Sequence, residues 1–148
     1  MFRGSSAHTL DDKGRFIIPT RFRDLIRAGG GDAVMITRLD GSLYAYTLNE
    51  WSRIEKRMTD LAEKSEHIRR FRRVFAGNAH ECPCDKQGRV LIPPTLRSYA
   101  KLEKEIALVG VQDHFEIWSQ ENWAKENEAM ELDMQQAEVR SEIAKIGL

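Results

Sequence analysis

The chain has 148 residues, 41% hydrophobic and 31% charged, a composition that suits one ordinary domain or two very small ones and excludes a disordered chain. It contains no apolar run of the roughly 18 residues that a membrane helix requires. The formal net charge is zero, but residues 113–148 hold three basic and nine acidic side chains and residues 1–112 hold 20 basic against 14 acidic, so an acidic tail masks a basic body to which phosphate can still respond.

In chain order, Met1 to Ser6 has no apolar core of the kind a secretory signal needs, so none is expected. A short strand, His8-Thr9-Leu10, arrives at Asp11-Asp12-Lys13-Gly14-Arg15. Here Gly14 permits positive φ and Asp11 can bond the backbone of its own turn. Phe16-Ile17-Ile18 follows as an apolar, β-branched strand that Pro19 stops. From Pro19 to Ile26 the apolar residues Phe22, Leu25 and Ile26 predict a short amphipathic helix. Ala28-Gly29-Gly30-Gly31-Asp32 lacks the Gly-Lys-Ser/Thr of a phosphate loop and reads as a loose linker. Ala33 to Thr37 and Leu43 to Tyr46 then form a hairpin about Asp40-Gly41. The segment from Asn49 to Ala76 reads as helix, with Trp51, Ile54, Met58 and Leu61 and then Ile68, Phe71, Val74 and Phe75 at helical spacing.

The chain then repeats itself. Asp85-Lys86-Gln87-Gly88-Arg89-Val90-Leu91-Ile92-Pro93 aligns with Asp11 to Pro19 at an offset of 74, and Leu96-Arg97 aligns with Phe22-Arg23. Cys82-Pro83-Cys84 stands for the arriving strand, Pro94 to Ala100 for the helix, and Ile106 to Val109 with His114 to Trp118 for the second hairpin. Residues 5–51 and 80–123 are therefore expected as two copies of one module, joined by a helical segment at 52–79 and followed by an acidic helix or tail at 124–148. A module of about 45 residues is too small for a sufficient core, so the copies are expected to pack as a pseudo-dimer. The last stretch, from about Gln120 to Lys145, has sparse apolar points and leaves open a marginal helix, a partner-binding helix or partial disorder.

Several side-chain groups have both a functional and a plain reading. His80-x-Cys82-x-Cys84 supplies only three potential ligands, and Leu10 matches Cys84 in the first copy, so packing rather than metal is expected. Two cysteines so close together cannot staple a fold, which points to a reducing cytoplasm. Arg69-Arg70-x-Arg72-Arg73 follows Glu63 and Glu66 and reads as a solvated or inter-subunit salt-bridging face. Tyr44, Tyr46, Trp51, Trp118 and Trp123 are expected in the core rather than as base-stacking platforms. No Gly-x-Ser-x-Gly, His-Glu-x-x-His or Cys-His arrangement suggests catalysis, and the acids lie on turns and surface helices, where unperturbed pKa values are expected. No enzyme activity, metal, cofactor or small-molecule substrate is therefore expected.

Met1-Phe2-Arg3-Gly4, the two Asp-x-x-x-Arg turns, Arg69-Arg70-Phe71-Arg72-Arg73, Leu108-Val109-Gly110 and Phe115-Glu116-Ile117-Trp118 together resemble the MraZ family of bacterial transcription regulators, whose members carry two tandem SpoVT-AbrB-type domains. The resemblance covers nearly the whole chain. It implies an α+β, mainly β fold of two swapped-hairpin barrel modules and a ring-like homo-oligomer in the cytoplasm at the nucleoid. It also implies binding to double-stranded DNA at repeated promoter sites of the division and cell-wall gene cluster, with repression the expected outcome. Carried over by position, the DNA-facing groups are Arg15 and Arg89 with Lys13 and Lys86 beside them, while Asp11, Gly14, Asp85 and Gly88 support the turns. Gln87 stands where the first turn has Lys13, so the first turn is expected to contribute more. Two other functions fit the same residues: an antitoxin-like module that binds a partner protein, and a ring-forming assembly protein without a DNA role.

Overall fold

In the computed structural model, which describes residues 1–61 and 65–148, neither arriving strand pairs with the strand that follows its own turn. Strand β1 (Phe2–Thr9) lies antiparallel to β7 (Glu105–Gln112) of the second copy, and β5 (His80–Pro83) lies antiparallel to β3 (Ala33–Leu39) of the first. With β4 (Ser42–Thr47) and β8 (His114–Ser119) they form one six-stranded sheet in the order β1-β7-β8-β4-β3-β5. The β8–β4 seam is its pseudo-twofold centre. β2 (Arg15–Ile17) and β6 (Arg89–Leu91), the strands after the two turns, pair with each other as a separate antiparallel ribbon. The chain is thus an α+β protein of two tandem modules whose pairings are exchanged.

The exchange brings the Met1-Phe2-Arg3-Gly4 motif against the end of the Leu108-Val109-Gly110 motif. Gly4 sits opposite Gly110, and a side chain at Gly110 would collide with the backbone of Phe2 and Arg3. The N-terminal strand is also longer than the three residues expected, because all of Phe2 to Thr9 finds ladder partners on β7.

Alternation along the strands divides the apolar residues between the sheet's two faces. Val34, Ile36, Leu43, Ala45, Ile106, Leu108, Phe115 and Ile117 enter the main core. The ribbon's Phe16 and Val90 join it, as do helix α1 (Thr20–Ala28) through Phe22 and Ile26 and helix α4 (Pro94–Tyr99) through Leu96. At 25 cal/mol per Å2, full burial of each large side chain is worth about 1.5–3 kcal/mol, and most of the interior joins both copies. On the other face, Tyr46, Trp51 and Phe75 cluster beneath helices α2 (Leu48–Leu61) and α3 (Glu66–Gly77). Ala107, Val109 and Trp118 meet Trp123 of helix α5 (Gln120–Asp133), which is followed by α6 (Ala137–Ala144).

Three expectations are revised. The helical segment from Asn49 to Ala76 does not run unbroken: Ser65 is extended, and its hydroxyl accepts from the amides of His67 and Ile68 to start α3 afresh. The expected helix across residues 62–64, including Glu63, lies outside the described residues. The terminal stretch is interrupted between α5 and α6, where Gln136 is extended. The glycine linker is packed rather than loose. A side chain at Gly29 would strike Thr47, and the Gly29 carbonyl accepts from the Asn49 amide at 2.9 Å.

Candidate nucleic-acid interface

Each Asp-x-x-x-Arg turn is closed by the same bonds. In the first, the Asp11 amide donates to the Arg15 carbonyl at 2.8 Å, and the Gly14 amide to the Asp11 carbonyl at 3.0 Å. One carboxylate oxygen of Asp11 accepts from the amides of Lys13 and Arg15, and the other accepts from Arg15 Nε at 2.7 Å. Asp85, Gln87, Gly88 and Arg89 reproduce this arrangement, with Asp85 accepting from Arg89 Nε at 2.7 Å. Gly14 and Gly88 take φ of +86° and +78°, the left-handed region that a side chain disfavours.

Both carboxylates are held below the ordinary carboxylate range, contrary to the expectation of unperturbed acids. Backbone and side-chain hydrogen bonds from Arg15 and the amide of Lys13 hold Asp11 down at about 2. The same set from Arg89 and Gln87 lowers Asp85. Hydrogen bonds to the ionised form stabilise that form. Each aspartate therefore stays ionised and fixes its arginine through Nε. Among the described residues no hydrogen bond engages the terminal amino groups of Arg15 or Arg89, which leaves each a planar, two-pronged donor.

The ribbon places both arginines on one surface. Arg15 lies opposite Leu91 and Ile17 opposite Arg89, while Phe16 and Val90 point into the core between them. Arg15 and Arg89 are thus diagonal neighbours on the outer face, with Cα atoms about 7 Å apart for such a pair. The residues that complete this face were missed from sequence: Ile17 is 60% exposed and Leu91 50%. Phe16-Ile17-Ile18 reads as uniformly apolar, and only the pairing shows which of the three turns outward. Lys13 and Lys86 are exposed on the turns at opposite ends of the ribbon.

Each turn is braced by the helix of the other copy. Arg97 donates through Nε to the Ile92 carbonyl at 3.0 Å and lies over Gly14. Arg23 donates to the Asp85 carbonyl at 2.8 Å and pairs with Asp32 at 3.0 Å. The backbones interlock too, Ile18 donating to Gly88 at 2.9 Å and Ile92 to Gly14 at 3.0 Å. The arginine pair therefore stands on a rigid support built from both modules.

Other candidate groups fall elsewhere. Cys82 is buried and burial pushes its thiol up to about 12, while His80 is exposed on the sheet-edge strand β5. Among the described residues no group of His, Cys, Asp or Glu is arranged to hold a metal ion. Tyr46, Trp51 and Trp118 are buried, with Tyr44 and Trp123 partly so. The sequence reading missed a buried polar cluster at the sheet centre: His114 bonds Glu116 at 2.8 Å and Asp113 at 2.7 Å, Trp118 donates to Glu116 at 2.9 Å, and Tyr44 stacks on the imidazole at 4.6 Å.

Two consecutive stretches of the chain, residues 1–74 and 75–142, match the family model described as "MraZ protein, putative antitoxin-like". A relative in Desulforapulum autotrophicum named "Transcriptional regulator MraZ" is 63% identical over 148 residues, covering 100% of both chains. Relatives of the same name occur in Desulfosudis oleivorans, at 55% identity with 100% of both chains covered, and in Lactiplantibacillus plantarum, at 48% identity over 83% of this chain and 85% of the relative.

Proposed function

The chain belongs to the MraZ family, and on that premise we propose that it is a DNA-binding transcriptional regulator that reads duplex DNA with the outer face of the β2–β6 ribbon. The observation that carries this reading is the pair of carboxylate-held guanidinium groups, Arg15 and Arg89, side by side on one exposed two-stranded ribbon. A major groove about 12 Å wide accepts such a ribbon, and the free edge of an arginine matches guanine O6 and N7. Ile17 and Leu91 between them suit thymine methyl groups, and Lys13 and Lys86 suit the flanking phosphates. The two turns offer pseudo-equivalent contacts, the first reinforced by Lys13 where the second has Gln87.

In this reading the protein is a repressor in the cytoplasm at the nucleoid. It has no catalytic role and needs no cofactor. A ring-like homo-oligomer engages repeated sites upstream of the division and cell-wall gene cluster, where linked weak contacts gain avidity. The test is a salt titration of binding to the DNA upstream of the protein's own gene, with an unrelated fragment as control. Tighter binding to the upstream DNA is expected, with a log–log salt slope of about −2 to −4 per chain from two to four phosphate contacts. Equal, salt-insensitive binding of both fragments overturns the reading. The words "antitoxin-like" in the family description favour a second reading, a partner-protein module, which a small stoichiometric partner in a pull-down and loss of DNA preference would support.

A further inference from the structure

We propose that the outer side of α3 is the docking groove for helix α5 of a second copy of this chain, so that the oligomer grows head to tail. The inference rests on the oligomeric reading above and identifies the surfaces that make the contact.

The inner side of α3 is occupied. Thr37 donates to the Phe75 carbonyl at 2.6 Å, and Phe75 stacks on Trp51 at 5.6 Å, which seats the helix on β3. The outer side is left open: Ile68, Phe71 and Val74 are each more than a third exposed. Between α3 and β3 runs a groove of about 280 Å3, with Leu39, Phe71 and Val74 along its floor and Arg38, His67 and Arg70 at its rim. Arg38 Nε is buried and, among the described residues, is the one buried side-chain polar atom without a partner. Of the four arginines of α3, only Arg70 has a carboxylate partner among the described residues, Glu66 at 3.0 Å. An apolar floor with cationic edges suits an acidic helix that presents apolar side chains among its carboxylates.

The chain carries one. Helix α5 has no buried residue and is attached at its start, where Ser119 caps it and Trp123 meets Trp118 at 6.0 Å. Beyond that point Glu126, Met130, Asp133 and Met134 fall on one face at helical spacing, methionines flanked by carboxylates. Lys125 with Glu121 is the only ion pair on this helix among the described residues, so its remaining acids are uncompensated. Within one chain the two helices pack on different strands: α5 lies on β7 and β8, whereas α3 lies on β3 and against α2. Different patches meeting between copies make a heterologous, head-to-tail contact, which closes into a ring where the rotation between copies allows it.

The test uses the full-length chain and light scattering after gel filtration. One variant reverses the groove, His67→Glu with Arg70→Glu, and another reverses the helix, Glu126→Arg with Asp133→Arg; all four residues are exposed, so folding should be retained. The wild type is expected to be oligomeric and each variant to fall towards monomer. An equimolar mixture of the two should regain the larger mass, because each reversed surface then meets its complement on the other variant. Unchanged mass in both variants, or no recovery on mixing, overturns the docking assignment while leaving oligomerisation intact. A groove variant of normal mass with weakened DNA binding also overturns it, by giving the arginines to phosphate. A monomeric wild type overturns the oligomeric reading itself.

Discussion

Arg97, on a helix of the second module, fills the space that a side chain on Gly14 of the first module's turn would need, its guanidinium carbon 2.5 Å from where that Cβ would stand. At the pseudo-equivalent place, Arg23 Nη1 stands 3.2 Å from a Cβ on Gly88. The two turns are alike in their own bonds but unequal in how tightly the other module closes over them.

Alanine at these glycines should reveal that inequality. Both residues are left-handed, so Gly88→Ala is expected to cost about 1–2 kcal/mol from backbone strain. Gly14→Ala should cost on the order of 1 kcal/mol more, since Arg97 must also give up its bond to the Ile92 carbonyl. Urea denaturation of the two variants measures the difference. Equal losses would mean that Arg97 moves aside freely.

For the arginine pair, Arg15→Ala and Arg15→Lys are both expected to weaken binding to the upstream DNA, by about 5- to 150-fold if a bidentate base contact is lost. A lysine has no Nε to tie to Asp11 while leaving a planar fork free, so it should rescue little. Arg89→Ala should have the smaller effect, because Gln87 replaces Lys13 in that turn. Gel shifts at fixed salt, with circular dichroism confirming the fold, decide it. An unchanged affinity for Arg15→Lys would show that charge alone suffices.

The Asp11 carboxylate makes a pH prediction. Its pKa is depressed from the ordinary carboxylate value to about 2 on folding, so its contribution is present above about pH 4 and is lost as pH falls towards 2. The melting temperature of Asp11→Asn should therefore lie below that of the wild type at neutral pH, and the gap should close over that acid range. A gap constant down to pH 2 would contradict the assignment.

His114 should behave in the opposite sense. Burial pulls its imidazole down, but hydrogen bonds to Glu116 and Asp113 outweigh that and hold it above its usual 6.5. A raised pKa stabilises the fold fully below about 6.5 and loses that contribution as pH rises through the folded value. Melting temperatures from pH 6 upwards should fall more steeply in the wild type than in His114→Gln. Parallel profiles would sink the idea.

Much of this was legible in the sequence because its causes are local. The duplicated Asp, Gly, Arg and Pro mark turns and strand ends through φ and hydrogen-bonding preferences that act within a few residues, and Phe22 and Ile26 mark the buried side of α1 by spacing alone. The Asp40-Gly41 hairpin formed as expected, with φ of 55° and 79° at its two turn residues.

Tertiary structure decided what depends on partners distant in the chain. The β-branched run Phe16-Ile17-Ile18 has no polar alternation to reveal its exposed side; pairing with β6 puts Phe16 in the core and Ile17 beside Arg89. The exchange of β1 and β5 between modules, the bracing of each turn by the other module's arginine and the stacking of Tyr44 on His114 are likewise contacts across many residues. The sequence by itself determined that two charged turns exist; the exchanged pairing made them one surface, because among the described residues β2 and β6 have no ladder partner except each other.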